Sequence, residues 1–150
     1  MQDLRPKDQF AALVATSGKL NEADIEAVYN KLPALPIDFR EEWMGETFDT
    51  GHPGHTQLLS MNRLGKAFHF TESVDPIVVS KDGKRVCDET RGHAVCSFVR
   101  FVSQTCSTAM IYDMHPIIDH SRYVHDNLIA GAMDIRSFGD AGTYYSYLYK

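Results

Sequence analysis

The segment "MIYDMHPIIDH", residues 110–120, crowds Tyr112, Asp113, His115, Asp119 and His120 around one connection that contains Pro116. Phenol, carboxylate and imidazole groups at that density are the equipment of proton transfer, and equally of holding the polar end of a ligand. In extended chain the side chains alternate, so Met110 and Tyr112 share one face. After the turn Ile117, Asp119, Ser121 and Tyr123 share a face, and His120 and Arg122 share the other. If the Asp119 face turns inward, burial raises its pKa unless a cation pairs with it, and Arg100 or Lys66 is the partner the sequence offers. The candidate catalytic set is therefore Asp113, Asp119 and His120. A plainer alternative stands beside it, in which Asp113 caps the turn and Asp119 ties down neighbouring backbone.

A second segment, "EEWMGETFDTGHPGH" over residues 41–55, holds the single tryptophan and two of the seven histidines. Trp43 is followed by Gly45 at a strand entrance, where a large indole plugs one end of a core and seeks one acceptor for its N–H. Gly51 and Pro53 mark a turn, which puts His52 and His55 on a loop. Neither an HExxH helix nor a third ligand at a diagnostic distance accompanies them, so no metal site is expected and His52 is read as lining a mouth or bonding backbone. Gly131 inside an apolar run suggests a bulge or a close approach, and a bulge there would re-aim Asp134 inward. Cys87, Cys96 and Cys106 have no CxxC spacing and read as reduced, packed thiols.

The elements that must position these groups are legible in outline. Phe10, Leu13 and Val14 recur at helical spacing, and Ile25, Val28, Tyr29 and Leu32 repeat the pattern behind Asn21 as N-cap, with Pro33 ending the helix. A further helical turn is expected around residues 57–63. From Val74 onward, β-branched and aromatic runs alternate with turn residues, as in an antiparallel sandwich or barrel. Asp82-Gly83 between "PIVVS" and "RVCDE" is a type I′ hairpin signal. "HAVCSFVRFV", "TCSTAMIYD", "PIIDHSRYV", "NLIAGAMDI" and "TYYSYLYK" follow as further strands, the last with Tyr145, Tyr147 and Tyr149 on one face and Tyr144, Ser146 and Leu148 on the other.

Several ordered blocks, "EEWMGETFDTGH", "GKAFHF", "VDPIV", "TAMIYDMHPIIDH" and "GAMD", resemble the GXWXG-type proteins and their companion C-terminal β-rich region of unknown function, across roughly residues 32–149. Two positions depart from the pattern: Glu41 stands where the motif has its first glycine, and Ser121 where a phenylalanine is expected, which enlarges the interior and adds a donor. The resemblance implies a small lipocalin-like β-barrel and lipid or another apolar molecule as its ligand.

Composition bounds the rest. At 150 residues, 43% hydrophobic and 23% charged, the chain reads as one globular domain, with residues 1–32 a helical segment on a barrel of residues 33–150. A net charge of -5 with "KDGKR" as its one dense basic run argues against nucleic acid. With neither a membrane span nor a secretion signal, a cytoplasmic protein is expected. No P-loop, GxGxxG or serine-nucleophile motif is present, and no cofactor is expected. The fold class is mainly β, a small antiparallel lipocalin-like barrel with short N-terminal helices.

Two functions fit. One is binding of a small hydrophobic molecule, with Trp43, Phe68, Met110, Tyr112 and Met133 as apolar lining and Asp119 or His52 as polar anchor; Lys66, Arg100, Ser121 and Asp134 complete the candidate ligand set. The alternative is a cofactor-independent isomerase or cyclase that uses the Asp/His groups for proton transfer. Exposed strand edges leave a homodimer open.

Overall fold

A computed structural model describes residues 3–35, 41–100 and 106–150, the side chains of 97–100, 106 and 107 excepted. Two helices come first, α1 (Pro6–Ala15) and α2 (Glu22–Tyr29). Pro6 opens α1 at a position where its missing N–H costs nothing. Asn21 caps α2, its Oδ1 accepting from the Ala23 amide at 2.9 Å. The remaining elements are β1 (Glu41–Thr47), α3 (Pro53–Ser60), β2 (Arg63–Phe70), β3 (Ser73–Lys81), β4 (Lys84–Cys87), β5 (Ala94–Arg100), β6 (Cys106–Tyr112), β7 (Ile117–His125), β8 (Leu128–Ile135) and β9 (Tyr144–Tyr149).

All pairings are antiparallel, and the order β2-β1-β9-β8-β7-β6-β5-β3 closes on itself through β2 and β3. Eight strands thus form a closed barrel, with β4 folded back on β3 as a hairpin outside the ring. Asp82 and Gly83 turn that hairpin with φ of 54° and 76°, the positive values a type I′ turn requires. The barrel class and the N-terminal helices are those the sequence predicts. The strands begin earlier than Val74, however, since β1 and β2 precede it. Gly51 and Pro53 do not leave His52 and His55 on a loop: they open α3, with His52 as N-cap and Pro53 in its first turn.

Alternation splits the apolar residues into two cores. Trp43, Phe68, Met110, Met133, Tyr144 and Leu148 point into the barrel. Val124, Ala130 and Tyr145 point outward beneath α1 and α2, where Phe10, Ile25 and Tyr29 cover them. Burying side chains on both faces explains why β8 reads as a nearly continuous apolar run and why β7 buries successive residues, Asp119, His120, Ser121 and Arg122.

The expected bulge at Gly131 is absent: β8 runs in register there, with Gly131 opposite Ser121 on one side and Ser146 on the other. Asp134 is accordingly not re-aimed and stays exposed on the outer face. Register shifts lie instead at the Tyr123–His125 end of the β7–β8 pairing and between β2 and β3, where the step from Gly65 to Ala67 is matched by a longer one from Val78 to Asp75. Pro76 occupies that step, which fits a residue with no N–H to give a ladder. The ring is thinnest between β3 and β5, joined by the one ladder pair Val74 and Ala94. No helix among the described residues is long and apolar enough to cross a membrane.

Candidate functional site

Lys66 on β2 and Asp119 on β7 reach toward each other across the barrel interior, Nζ to Oδ2 at 3.1 Å, with side chains only 2% and 3% exposed. The ammonium also donates to the Pro76 carbonyl at 3.1 Å and to the Tyr112 hydroxyl oxygen at 3.3 Å. These partners use its three donors. Burial pulls the Lys66 pKa down from 10.5 to about 8; the Asp119 carboxylate opposes that shift and the Arg63 guanidinium adds to it. At neutral pH the lysine therefore remains mostly charged and the pair stands. Asp119 Oδ1 has no hydrogen-bond partner among the described residues. A Cβ placed on Gly131 would lie 3.2 Å from that oxygen and 2.7 Å from Ser146 Oγ. Glycine at 131 keeps the space beside the carboxylate clear.

Helix α3 closes one end of the barrel over a cavity of about 130 Å³, lined by Leu58 and Met61, by Ile77 and Met133, and by the rings of Tyr112 and Tyr144. Tyr112 joins this cavity to the buried pair, since its ring forms wall and its hydroxyl meets Lys66. Burial, reinforced by the Asp119 charge, raises the Tyr112 pKa, so the phenol keeps its proton. Because Lys66 occupies a lone pair of the phenolic oxygen, that proton remains for donation elsewhere.

His52 fastens α3 in place. Its Nδ1 accepts from the Gly54 amide at 3.0 Å, and its ring stacks on Tyr144 at 5.0 Å between centroids and meets Phe138 edge-on at 5.3 Å. Burial lowers its pKa, which favours the neutral ring the cap needs. Gly54 permits the close seat, as a Cβ there would touch the Tyr144 ring at 3.0 Å. His55 bonds Thr47 Oγ1 through Nδ1 at 2.5 Å. Both histidines serve the lid.

Of the residues singled out from sequence, Trp43, Lys66, Phe68, Met110, Tyr112, Asp119, Ser121 and Met133 are buried. Alternation turns them into one interior. Trp43 plugs the end opposite α3, with Lys150 Nζ 4.6 Å from its ring centroid. Arg100 lies in β5, but its side chain falls outside the described residues. Strand geometry sets three of the candidates outside the barrel interior. Asp113 follows β6 and is exposed, its Oδ1 accepting from the amide of His93, just ahead of β5, at 2.8 Å. His120 points to the outer face beneath α2, where burial lowers its pKa and the Tyr29 hydroxyl donates to its carbonyl at 2.7 Å. Asp134 faces outward as described above. Asp113, Asp119 and His120 therefore do not form a cluster. Sequence reasoning passed over Tyr144, Pro76, Leu58 of α3 and its C-cap Met61; for Tyr144 the signal was its shared face with Ser146 and Leu148.

The tryptophan motif has a local explanation. Glu41 adopts φ of 117°, and a Cβ on Gly45 would fall 2.7 Å from Arg63 Nη2. Residues 27–84 match the GXWXG protein family, and residues 92–150 match a domain of unknown function, DUF4334. The chain is a GXWXG domain followed by a DUF4334 domain. It is also similar over its length to a protein from Thermomonospora curvata of known crystal structure, at 34% identity and a TM-score of 0.89, covering 98% of this chain and 99% of that one. No curated protein matches it. The two matched segments complete one ring, the GXWXG segment supplying β1 to β3 and the DUF4334 segment β5 to β9.

Proposed function

We propose that the barrel binds one small, mostly apolar molecule in the cavity beneath α3 and orients it by an oxygen acceptor that takes the Tyr112 proton. The observation that carries this reading is the double engagement of Tyr112, whose ring walls the apolar cavity while its hydroxyl rests on the buried Lys66–Asp119 pair. An apolar cavity of about 150 Å³ is known to hold benzene, so about 130 Å³ suits a ligand of single-ring size. A lone hydrogen bond contributes about 0.5–1.5 kcal/mol, so Tyr112→Phe should weaken binding of a cyclic ketone by roughly two- to tenfold while leaving a cyclic hydrocarbon of the same size unaffected. Calorimetric titration of both probes tests this. Failure of the protein to bind either, or an equal loss for both, would sink the reading.

The same geometry supports a second reading, a cofactor-independent isomerase. Its specific support is a lysine whose pKa burial lowers to about 8, one hydrogen bond behind the phenol that would polarise a bound carbonyl. On this reading Asp119 Oδ1 takes the proton from the carbon next to the carbonyl of a bound cyclic ketone while Tyr112 holds the enolate oxygen, a deuteron from D2O replaces that proton, and Tyr112→Phe abolishes the acceleration of this exchange. Binding without any exchange leaves carriage as the function.

A further inference from the structure

The barrel's thinnest seam carries a second group of side chains, on the outer surface. Asp75 on β3, Cys87 at the end of β4 and His93 just before β5 bring one oxygen, one sulfur and one nitrogen within 4.8 Å of one another. Asp75 Oδ1 lies 3.2 Å from His93 Nδ1, and its Oδ2 lies 2.9 Å from Nε2 of His69 on β2. The Cys87 thiol hydrogen-bonds the same carboxylate. One aspartate thus gathers groups from β2, β4 and the start of β5 where Val74 and Ala94 make the only ladder pair between β3 and β5.

Thiolate, imidazole and carboxylate together form a donor set that suits zinc, whose bonds of about 2.0–2.3 Å put tetrahedral ligands about 3.3–3.7 Å apart. Small side-chain rotations reach that spacing from the present one. The alternative is a surface hydrogen-bond network around one carboxylate with the Cys87 thiol as one of its donors, and it predicts no bond from sulfur to a metal ion.

We propose that Asp75, Cys87 and His93 form a zinc site that clips β3, β4 and the start of β5 together, with His69 holding the free oxygen of Asp75 and water completing the coordination. His93 is exposed, which gives the ion an entry path. On binding, the cation takes the place of the Cys87 thiol proton, which leaves to solvent. A bond from the ion to each element reinforces the closure that the single ladder pair leaves weak, so the metal-bound protein should be harder to unfold.

Zinc chloride titrated into the untagged full chain against a chromophoric chelator should give one equivalent bound and a higher Tm, and cobalt(II) in its place should show a thiolate-to-metal charge-transfer band. Cys87→Ser should remove the band and weaken zinc binding by more than about a hundredfold, and His93→Ala should weaken it comparably, because removing even an outer partner costs about 10–100-fold. His69→Ala should cost about tenfold. Cys96→Ala should change nothing. If Cys87→Ser does not fold, the exposed His93 carries the test alone. Failure to bind one equivalent, absence of the band, or binding that survives His93→Ala overturns the site.

Discussion

The two faces of β7 each bury a cation, and they do so differently. On the outward face Arg122 is 0% exposed, its Nη1 donating to the Leu32 carbonyl at 2.9 Å and its guanidinium resting 4.9 Å from the Tyr29 ring centroid. Tyr29 in turn donates to the His120 carbonyl, so these contacts tie the end of α2 to the barrel wall. On the inward face Lys66 meets Asp119 and Tyr112, and the chain stops short of saturation: Asp119 Oδ1 accepts from no described residue, and the Tyr112 proton remains to be given. Buried charge is tolerated when its partners are complete. Contacts to backbone and ring on the outer face fix a helix, whereas an acceptor and a donor left beside a cavity on the inner face are suited to a ligand.

Breaking the inner pair is the strongest test of this contrast. Lys66→Met or Asp119→Leu alone should lower the unfolding free energy by about 3–5 kcal/mol, because each strands a buried charge, whereas the double substitution should return to within about 1 kcal/mol of the parent or exceed it. Urea denaturation of the four proteins measures this. Mild single variants would mean that the two charges are not coupled.

The double variant also isolates a pH dependence. Burial holds the folded-state pKa of Lys66 at about 8 against 10.5 in its ordinary state, so between those values the unfolded chain binds more protons than the folded one. Stability contributed by this group therefore rises with pH across that window and is flat below it, where both states are protonated. The urea midpoint of the parent relative to the double variant should climb between about pH 8 and about pH 10. A falling or level difference would show that Lys66 is not desolvated.

On the outer face Arg122→Leu should cost about 1.5–3 kcal/mol, the range for a hydrogen bond made by a charged group. Hydrogen exchange should find the lost protection concentrated in α2. Cyclic-ketone affinity should be unchanged, since this face shares no side chain with the cavity; a drop comparable to that of Tyr112→Phe would mean that the two faces are coupled.

Period-two alternation sorted β7 into its two faces from sequence but not which of them turns inward, and the need of a buried carboxylate for a cation left Lys66 and Arg100 as candidate partners. Helix starts were legible where side chains cap, as at Asn21, and misread where Gly51 and Pro53 serve a helix entrance as readily as a turn. β2 was harder, because its shifts against β3 spoil alternation and bury Gly65, Lys66, Ala67 and Phe68 in succession. The placement of His120 beneath α2 depends on helices far away in the chain. Asp75, Cys87 and His93 sit on separate elements with no recurring spacing, so only closure of the ring brings them together.

The smallest expected effect concerns the first motif position. Glu41 holds φ of 117°, a region that a side chain makes costly and that glycine occupies freely. Its carboxylate meets Lys150 at the surface, where the Glu41 side chain is 59% exposed, and such pairs contribute about 0–1 kcal/mol. Glu41→Gly relieves the backbone and loses the ion pair, so a net gain of up to about 1 kcal/mol is expected. Glu41→Ala loses the same carboxylate but keeps a Cβ. The difference between the glycine and alanine variants in urea midpoint therefore reads the backbone alone, and equal midpoints would show that this position bears no strain and that the glycine of the motif answers to something other than conformation.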